Sequence, residues 1–337
     1  MTTLTDHLIK TSADVKKWFS GIDKDYNILS MESFIADAEM DFLIPEIGQT
    51  IFDAVNAGYN SVDGLQGKLL QLFPYLQKAV VHMALNLSAD SGAFRIADSG
   101  FYVTSTATNK PVSDKKLSEF KKGEERLAYK AIEQAIAFLE ANVNDPAFES
   151  YKESDLHTQG RDYFINDSVI FTRFFKPMNR SALLFRAIID AMDRAERTYI
   201  LPLLGEAFFA GIKGNILAGE LTDSEKALLP LIQRPLAHFT IAEAIPTLPV
   251  EFDGTNLIIT SMPARGNAEN VVNQAEATPQ QVSNLMNKAM DIGVSELKRL
   301  RNYLILNAID YPLYVMPDPS ELVDININDD CSKNFFV

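Results

Sequence analysis

The sequence predicts a mainly α protein built from two tandem related helical-bundle domains, each with an inserted β-hairpin and an extended C-terminal segment. Three observations predict it. Apolar residues recur at helical spacing through most of the 337 residues. One stretch occurs twice, as Ala38-Glu39-Met40-Asp41-Phe42-Leu43-Ile44-Pro45-Glu46-Ile47-Gly48 and as Ala195-Glu196-Arg197-Thr198-Tyr199-Ile200-Leu201-Pro202-Leu203-Leu204-Gly205. The same succession of elements follows each occurrence, which marks duplication of a unit of roughly 150 to 160 residues.

In order, Thr11 or Ser12 can cap a short helix with Val15, Trp18 and Phe19 on one face. After a polar break at 21–27, a helix over about 28–43 carries Phe34, Ile35, Ala38 and Phe42 as an apolar stripe. Pro45 removes a backbone donor and predicts a break or kink, and a second helix ends at Gly58. Residues 68–88 read as a helix apolar on most sides, fit for the middle of a bundle. Phe94 to Ser105, with Asp98-Ser99-Gly100 as the turn, reads as a β-hairpin. A long helix over 115–142 follows, then a loop with Pro146. Tyr163 to Asp167 and Val169-Ile170-Phe171 look extended.

The second half runs through the same plan. A helix over 181–201 meets Pro202 and continues over 203–213. Thr222-Asp223-Ser224-Glu225 is a capping-box pattern, opening a helix with a kink expected at Pro235. Residues 250–261 form the second hairpin, with Asp253-Gly254 as its turn. Thr278-Pro279-Gln280-Gln281 opens a long helix over about 279–307. The extended tail spans 322–337. The domains are placed at 1–166 and 167–337. Matched positions include Phe52 with Phe209, Leu139 with Leu304 and Asn142 with Asn307. Leu70, Ala79 and Ala84 pair with Leu228, Ala237 and Ala242, which sets a register for the central helices. Ile165-Asn166-Asp167 returns as Ile327-Asn328-Asp329, and Phe174-Phe175 as Phe335-Phe336.

The chain is 47% hydrophobic and 23% charged, with a formal net charge of −14. A free-standing nucleic-acid binder would carry a basic face, and none is legible. The run Lys115 to Lys122 is offset by Glu119, Glu124 and Glu125 and reads as a solvated helix face. A single cysteine, Cys331, excludes a disulfide framework and suits a reducing compartment. With no signal pattern and no apolar run near the roughly 20 residues that span a bilayer, a soluble protein without a membrane partner is expected.

No catalytic, cofactor-binding or metal-binding residue emerges. His7, His82, His157 and His238 lack metal-ligand spacing, and His82 and His238 fall in corresponding helices at different positions. Gly211-Ile212-Lys213-Gly214 lacks the spacing of a phosphate loop, and a helix C-cap accounts for its glycines. Glu39 and Glu196 are equivalent, and read as helix-face carboxylates bonding a neighbour such as Arg194 or Arg197 rather than as catalysts. The candidate interaction residues lie on the hairpins and tail: Phe101, Tyr102, Leu257, Ile258, Ile325, Ile327, Phe335 and Phe336. An extended apolar segment of this kind can add to a neighbour's surface.

The repeated motif, the Leu-Leu helix, the hairpin, the long helix and the Asn307 to Pro312 segment together resemble a little-characterised family found in Bacteroidetes genomes and their phages and prophages. The motif stands best in the second copy; the first has Asp145-Pro146 where the second has Asp310-Tyr311-Pro312. The helical unit with its hairpin also resembles the head–tail connector (adaptor) proteins of tailed phages, a likeness at the level of fold. The resemblance implies a non-enzymatic virion protein: a homo-oligomeric ring in the phage neck, assembled in the bacterial host cytoplasm. Its partners would be the portal protein and neighbouring neck or tail proteins, with DNA passing through as a non-specifically contacted substrate. A baseplate, tail or injection-apparatus component is the alternative within this class. A soluble helical enzyme or ligand-binding protein with a site between the repeats is the alternative from another. No cofactor is expected.

Overall fold

The computed structural model describes residues 4–22, 27–90, 114–247, 250–253, 256–259 and 279–315. The fold is mainly α, in two compact units divided between Thr158 and Gln159. The division precedes the 166/167 boundary read from sequence because Phe164 and Ile165 are buried with Phe171 and Phe175 in the core of the second unit.

In the first unit a lead-in segment ends at Thr11, whose side chain and that of Asp14 form a capping box on the helix Ser12–Trp18. Short helical turns follow to Ile47, then the helix Gln49–Asn60. Two long helices, Gly67–Asp90 and Asp114–Ala141, pack on each other and make the body of the unit. Ala128, Ala131 and Ala135 are fully buried on the second of these, and such small side chains let backbones approach closely.

The second unit repeats this order. Asp167 accepts a hydrogen bond from Ile170 N and caps the helix Ser168–Phe174. Val169-Ile170-Phe171 is therefore helical, not extended; the cap overrides the strand preference of its side chains. The helix expected over 181–201 is interrupted at Ile188, between Ala182–Ala187 and Ile189–Ala195. Asp223–Ala244, with Pro230 and Pro235 inside it, and Pro279–Leu306 are the paired long helices. Gly211 and Gly214 lie inside the helix Glu206–Ala218, and Gly219, at φ 71°, is the glycine that ends it.

The prolines of the repeated motif do not break their helices. Each follows a turn of π-helix, Ala38–Leu43 or Glu196–Ile200. There Ile44 N bonds Glu39 O and Leu201 N bonds Glu196 O, five residues back. The widened turn accommodates a donorless residue at the next position. The true breaks are Gly48 and Gly205, at φ 88° and 77°, where a side chain would be strained.

The central helices align two residues away from the register read in the sequence. The helix starts Gly67 and Asp223 correspond. This pairs Pro74 with Pro230, Gln77 with Gln233 and His82 with His238, so the two histidines do share a position. Buried residues agree in this register, Leu72 with Leu228 and Leu76 with Ile232.

The described residues include one antiparallel strand pair, Val250–Asp253 with Asn256–Ile259. Phe252 lies opposite Leu257 and Glu251 opposite Ile258. The first hairpin, about 94–105, with Phe101 and Tyr102, lies outside the described residues, as does the tail 322–337 with Ile325, Ile327, Cys331, Phe335 and Phe336.

Candidate functional site

Each unit builds the same polar clamp around its lead-in segment. In the first, Leu8 N donates to Glu39 Oε1 at 2.8 Å, and Gln77 Nε2 donates to Leu8 O at 3.0 Å. In the second, Phe164 N donates to Glu196 Oε1 at 2.8 Å, and Gln233 Nε2 donates to Phe164 O at 2.7 Å. Both glutamates and both glutamines are buried. One glutamate from a π-turn and one glutamine from the central helix thus satisfy both backbone groups of a single residue. A buried chain segment without a sheet partner needs such acceptors and donors.

The second carboxylate oxygen differs between the units. Glu39 Oε2 accepts from His7 Nδ1 at 2.7 Å. Glu196 Oε2 accepts from Lys213 Nζ at 2.7 Å, so its partner is neither Arg194 nor Arg197. Those arginines pair with Glu243 and Asp193. The Lys213 ammonium also lies 4.7 Å from the Tyr163 ring centroid and 5.0 Å from that of Phe209. The hydrogen bond to Glu39 holds the His7 imidazole above its ordinary 6.5, against the opposing effect of burial. Burial pushes the Glu196 carboxyl up, and the Lys213 ammonium and the Phe164 amide oppose that rise. With both oxygens of each glutamate engaged, the arrangement holds a chain segment in place.

The paired histidines have diverged. His82 is buried, and its Nδ1 lies 2.6 Å from Glu124 Oε2. Glu124, one of the acidic residues that offset the Lys115 to Lys122 run in sequence, is therefore buried. The matched Leu139 and Leu304 place Ala289 where the first unit has Glu124. Burial pushes His238 below 6.5, with Glu296 opposing and Arg234 assisting. His157 packs against Glu140, its Nδ1 3.1 Å from Oε2. Among the described residues no three His, Cys, Asp or Glu side chains are grouped to hold a metal.

A third feature belongs to the second unit. Leu306 and Ile309 are 83% and 92% exposed, and Leu313 and Val315 nearby are also exposed. In the register of the long helices, Leu306 and Ile309 stand where the first unit has Ala141 and Asn144. Arg301 Nε and Tyr314 Oη are buried without a hydrogen-bond partner. The sequence singled out the hairpins and tail and missed this row. The comparison of copies could have found it, since small and polar positions of one copy are large and apolar in the other. Gln77 and Gln233 were missed because the central helices were aligned on common alanines. No single helix among the described residues is long and apolar enough to cross a membrane.

The profile of a family of unknown function, DUF6712, matches residues 43–160 and again residues 200–321. The chain belongs to this family and carries its unit twice. No curated protein matches the chain, and no solved structure matches it.

Proposed function

We propose that this chain, a tandem member of the DUF6712 family, is a non-enzymatic virion structural protein: a ring-forming head–tail connector in the neck of a tailed bacteriophage or prophage. The observation that carries the reading is the exposed apolar row of Leu306, Ile309, Leu313 and Val315. Four exposed large apolar side chains within ten residues of chain are the candidate contact with another protein. The matching positions of Leu306 and Ile309 in the first unit are Ala141 and Asn144, so the two units differ in surface there. Ring closure needs such unlike faces, each meeting a different face of the next subunit.

Two further observations support the reading. The glutamate kept in both copies holds a backbone amide in each unit, a structural use of the repeated carboxylate. The net charge of −14 suits a channel wall along which DNA passes without adhering. The hairpin residues Leu257 and Ile258 and the tail residues Ile325, Ile327, Phe335 and Phe336 are the proposed contacts with neighbouring subunits, the portal protein and other neck or tail proteins. Electron microscopy of the purified full chain tests the reading. Closed cyclic particles are expected, and a population of single subunits at all concentrations would refute it.

A further inference from the structure

Three segments of this chain share one lead-in pattern, and the described residues hold two clamps. Asp6, Ile9 and Thr11 stand at fixed spacing in the first unit, and Asp162, Ile165 and Asp167 repeat it in the second. The spacing returns at Asp324, Ile327 and Asp329, with Asn328 matching Asn166. The structure shows what the isoleucine and capping positions do in the two described copies. Ile9 and Ile165 are fully buried. Thr11 and Asp167 cap the helices that follow, accepting from Asp14 N and Ile170 N. The residue just before each isoleucine gives its N–H to the glutamate and its C=O to the glutamine. That recognition reads backbone, so it can take Asn326 at the same position.

The corresponding point in the first half shows where such a segment goes. Residues after Thr158 leave the first unit and belong to the second. There Phe164, Ile165 and Phe171 enter its core. Residues 322–337 thus repeat a segment whose work is to enter a unit other than the one it follows.

We propose that residues 322–337 seat in the Glu39–Gln77 clamp of a second copy, exchanging there with the arm Leu4–Trp18. The proposal rests on the connector reading for its place in an assembly, and it gives that reading a head-to-tail contact between subunits. The second unit's lead-in runs on from Thr158 into the helix Ser168–Phe174, and the first unit's clamp is the one proposed to exchange. Two core positions are polar in the tail, Asn326 for Leu8 and Lys333 for Val15. The resident arm is therefore the stronger occupant in dilute solution, and crowding subunits into an assembly favours the tail.

The test uses the full chain and its single cysteine, Cys331, which stands where Ala13 stands in the arm. Cys331 is labelled with a benzophenone maleimide, and isotopically light and heavy chains are mixed, irradiated and mapped by mass spectrometry. Cross-links are expected between chains, on the helix Gly67–Asp90 near Lys78, whose ammonium lies 6.0 Å from the Trp18 ring of the arm. Ile9→Ala weakens the resident arm and should raise their yield by about ten-fold or more. Ile327→Ala weakens the tail and should lower it by a similar factor of about ten. Circular dichroism checks that Ile9→Ala stays folded, and Ile9→Val should move the yield in the same direction by less. Cross-links confined to one chain, or falling on the row Leu306 to Val315, or unmoved by the Ile9 substitutions, overturn the exchange. Rings without these cross-links would sink the exchange alone, and these cross-links without rings would sink the connector reading alone.

Discussion

Replacing Glu196 with alanine removes two contacts at once. The Phe164 amide loses its acceptor at 2.8 Å, and the Lys213 ammonium loses its carboxylate at 2.7 Å. A buried amide left without a partner costs about 1–3 kcal/mol. An ammonium left without its partner in a buried pair brings the total to about 3–5 kcal/mol. Lys213 keeps some access to water, its side chain being 17% exposed, which favours the lower end. Replacing Lys213 with methionine in the same chain removes the stranded charge, so the double variant should recover roughly 1–2 kcal/mol. Glu39→Ala should cost about 1–3 kcal/mol, because His7 can shed its proton whereas a lysine ammonium does so reluctantly. Urea unfolding reads the totals, and hydrogen exchange at the Phe164 amide reads the local loss. A Glu196→Ala cost below about 1 kcal/mol, or no recovery in the double variant, would refute the clamp as the reason this glutamate occurs in both copies.

Two other perturbations follow from the paired units. A Cβ on Gly293 would fall 2.6 Å from Phe239 Cε1, and the Phe239 ring is stacked on Tyr199 at 4.0 Å. Gly293→Ala should therefore destabilise by about 1–3 kcal/mol despite the better helix propensity of alanine. The first unit has Ala128 and Met83 at the two matching positions, so adding Phe239→Met should restore most of the loss in the same unfolding assay. The histidines predict opposite pH dependence. His7 is held above 6.5 by Glu39, so its contribution is complete below pH 6.5 and is lost as pH rises through its folded value. His238 is pushed below 6.5 by burial, so its contribution is present above pH 6.5 and is lost as pH falls through its folded value. Thermal unfolding against pH should flatten on the alkaline side for His7→Gln and on the acid side for His238→Gln. Reversed assignments would contradict both environments.

The duplication was legible because Ala, Glu, Pro and Gly stand in one order at Ala38–Gly48 and Ala195–Gly205, and helical spacing surrounds both. The uses of those residues were not. A proline in a helical pattern reads as a break, and nothing local announces the π-turns that carry the helix past Pro45 and Pro202. Glu39 and Glu196 stood out as a pair, but their partners are backbone amides 31 and 32 residues away. A backbone amide has no side-chain signature. Val169-Ile170-Phe171 is β-branched and aromatic, and only the cap at Asp167 turns it into a helix. The two-residue error in register came from weighting alanine, common in any buried helix, above Pro74, Gln77 and His82, whose roles become visible only when packed.

The central claim is that the repeated helical frame exists to hold subunits in a ring. Cryo-electron microscopy of the full chain, purified without other components and imaged across a range of concentrations, tests it most directly. The account predicts class averages with one cyclic symmetry, in which each subunit presents two related units and the row Leu306 to Val315 is covered by protein. Particles of single-subunit mass at every concentration, or a two-fold dimer with that row facing solvent, would contradict it.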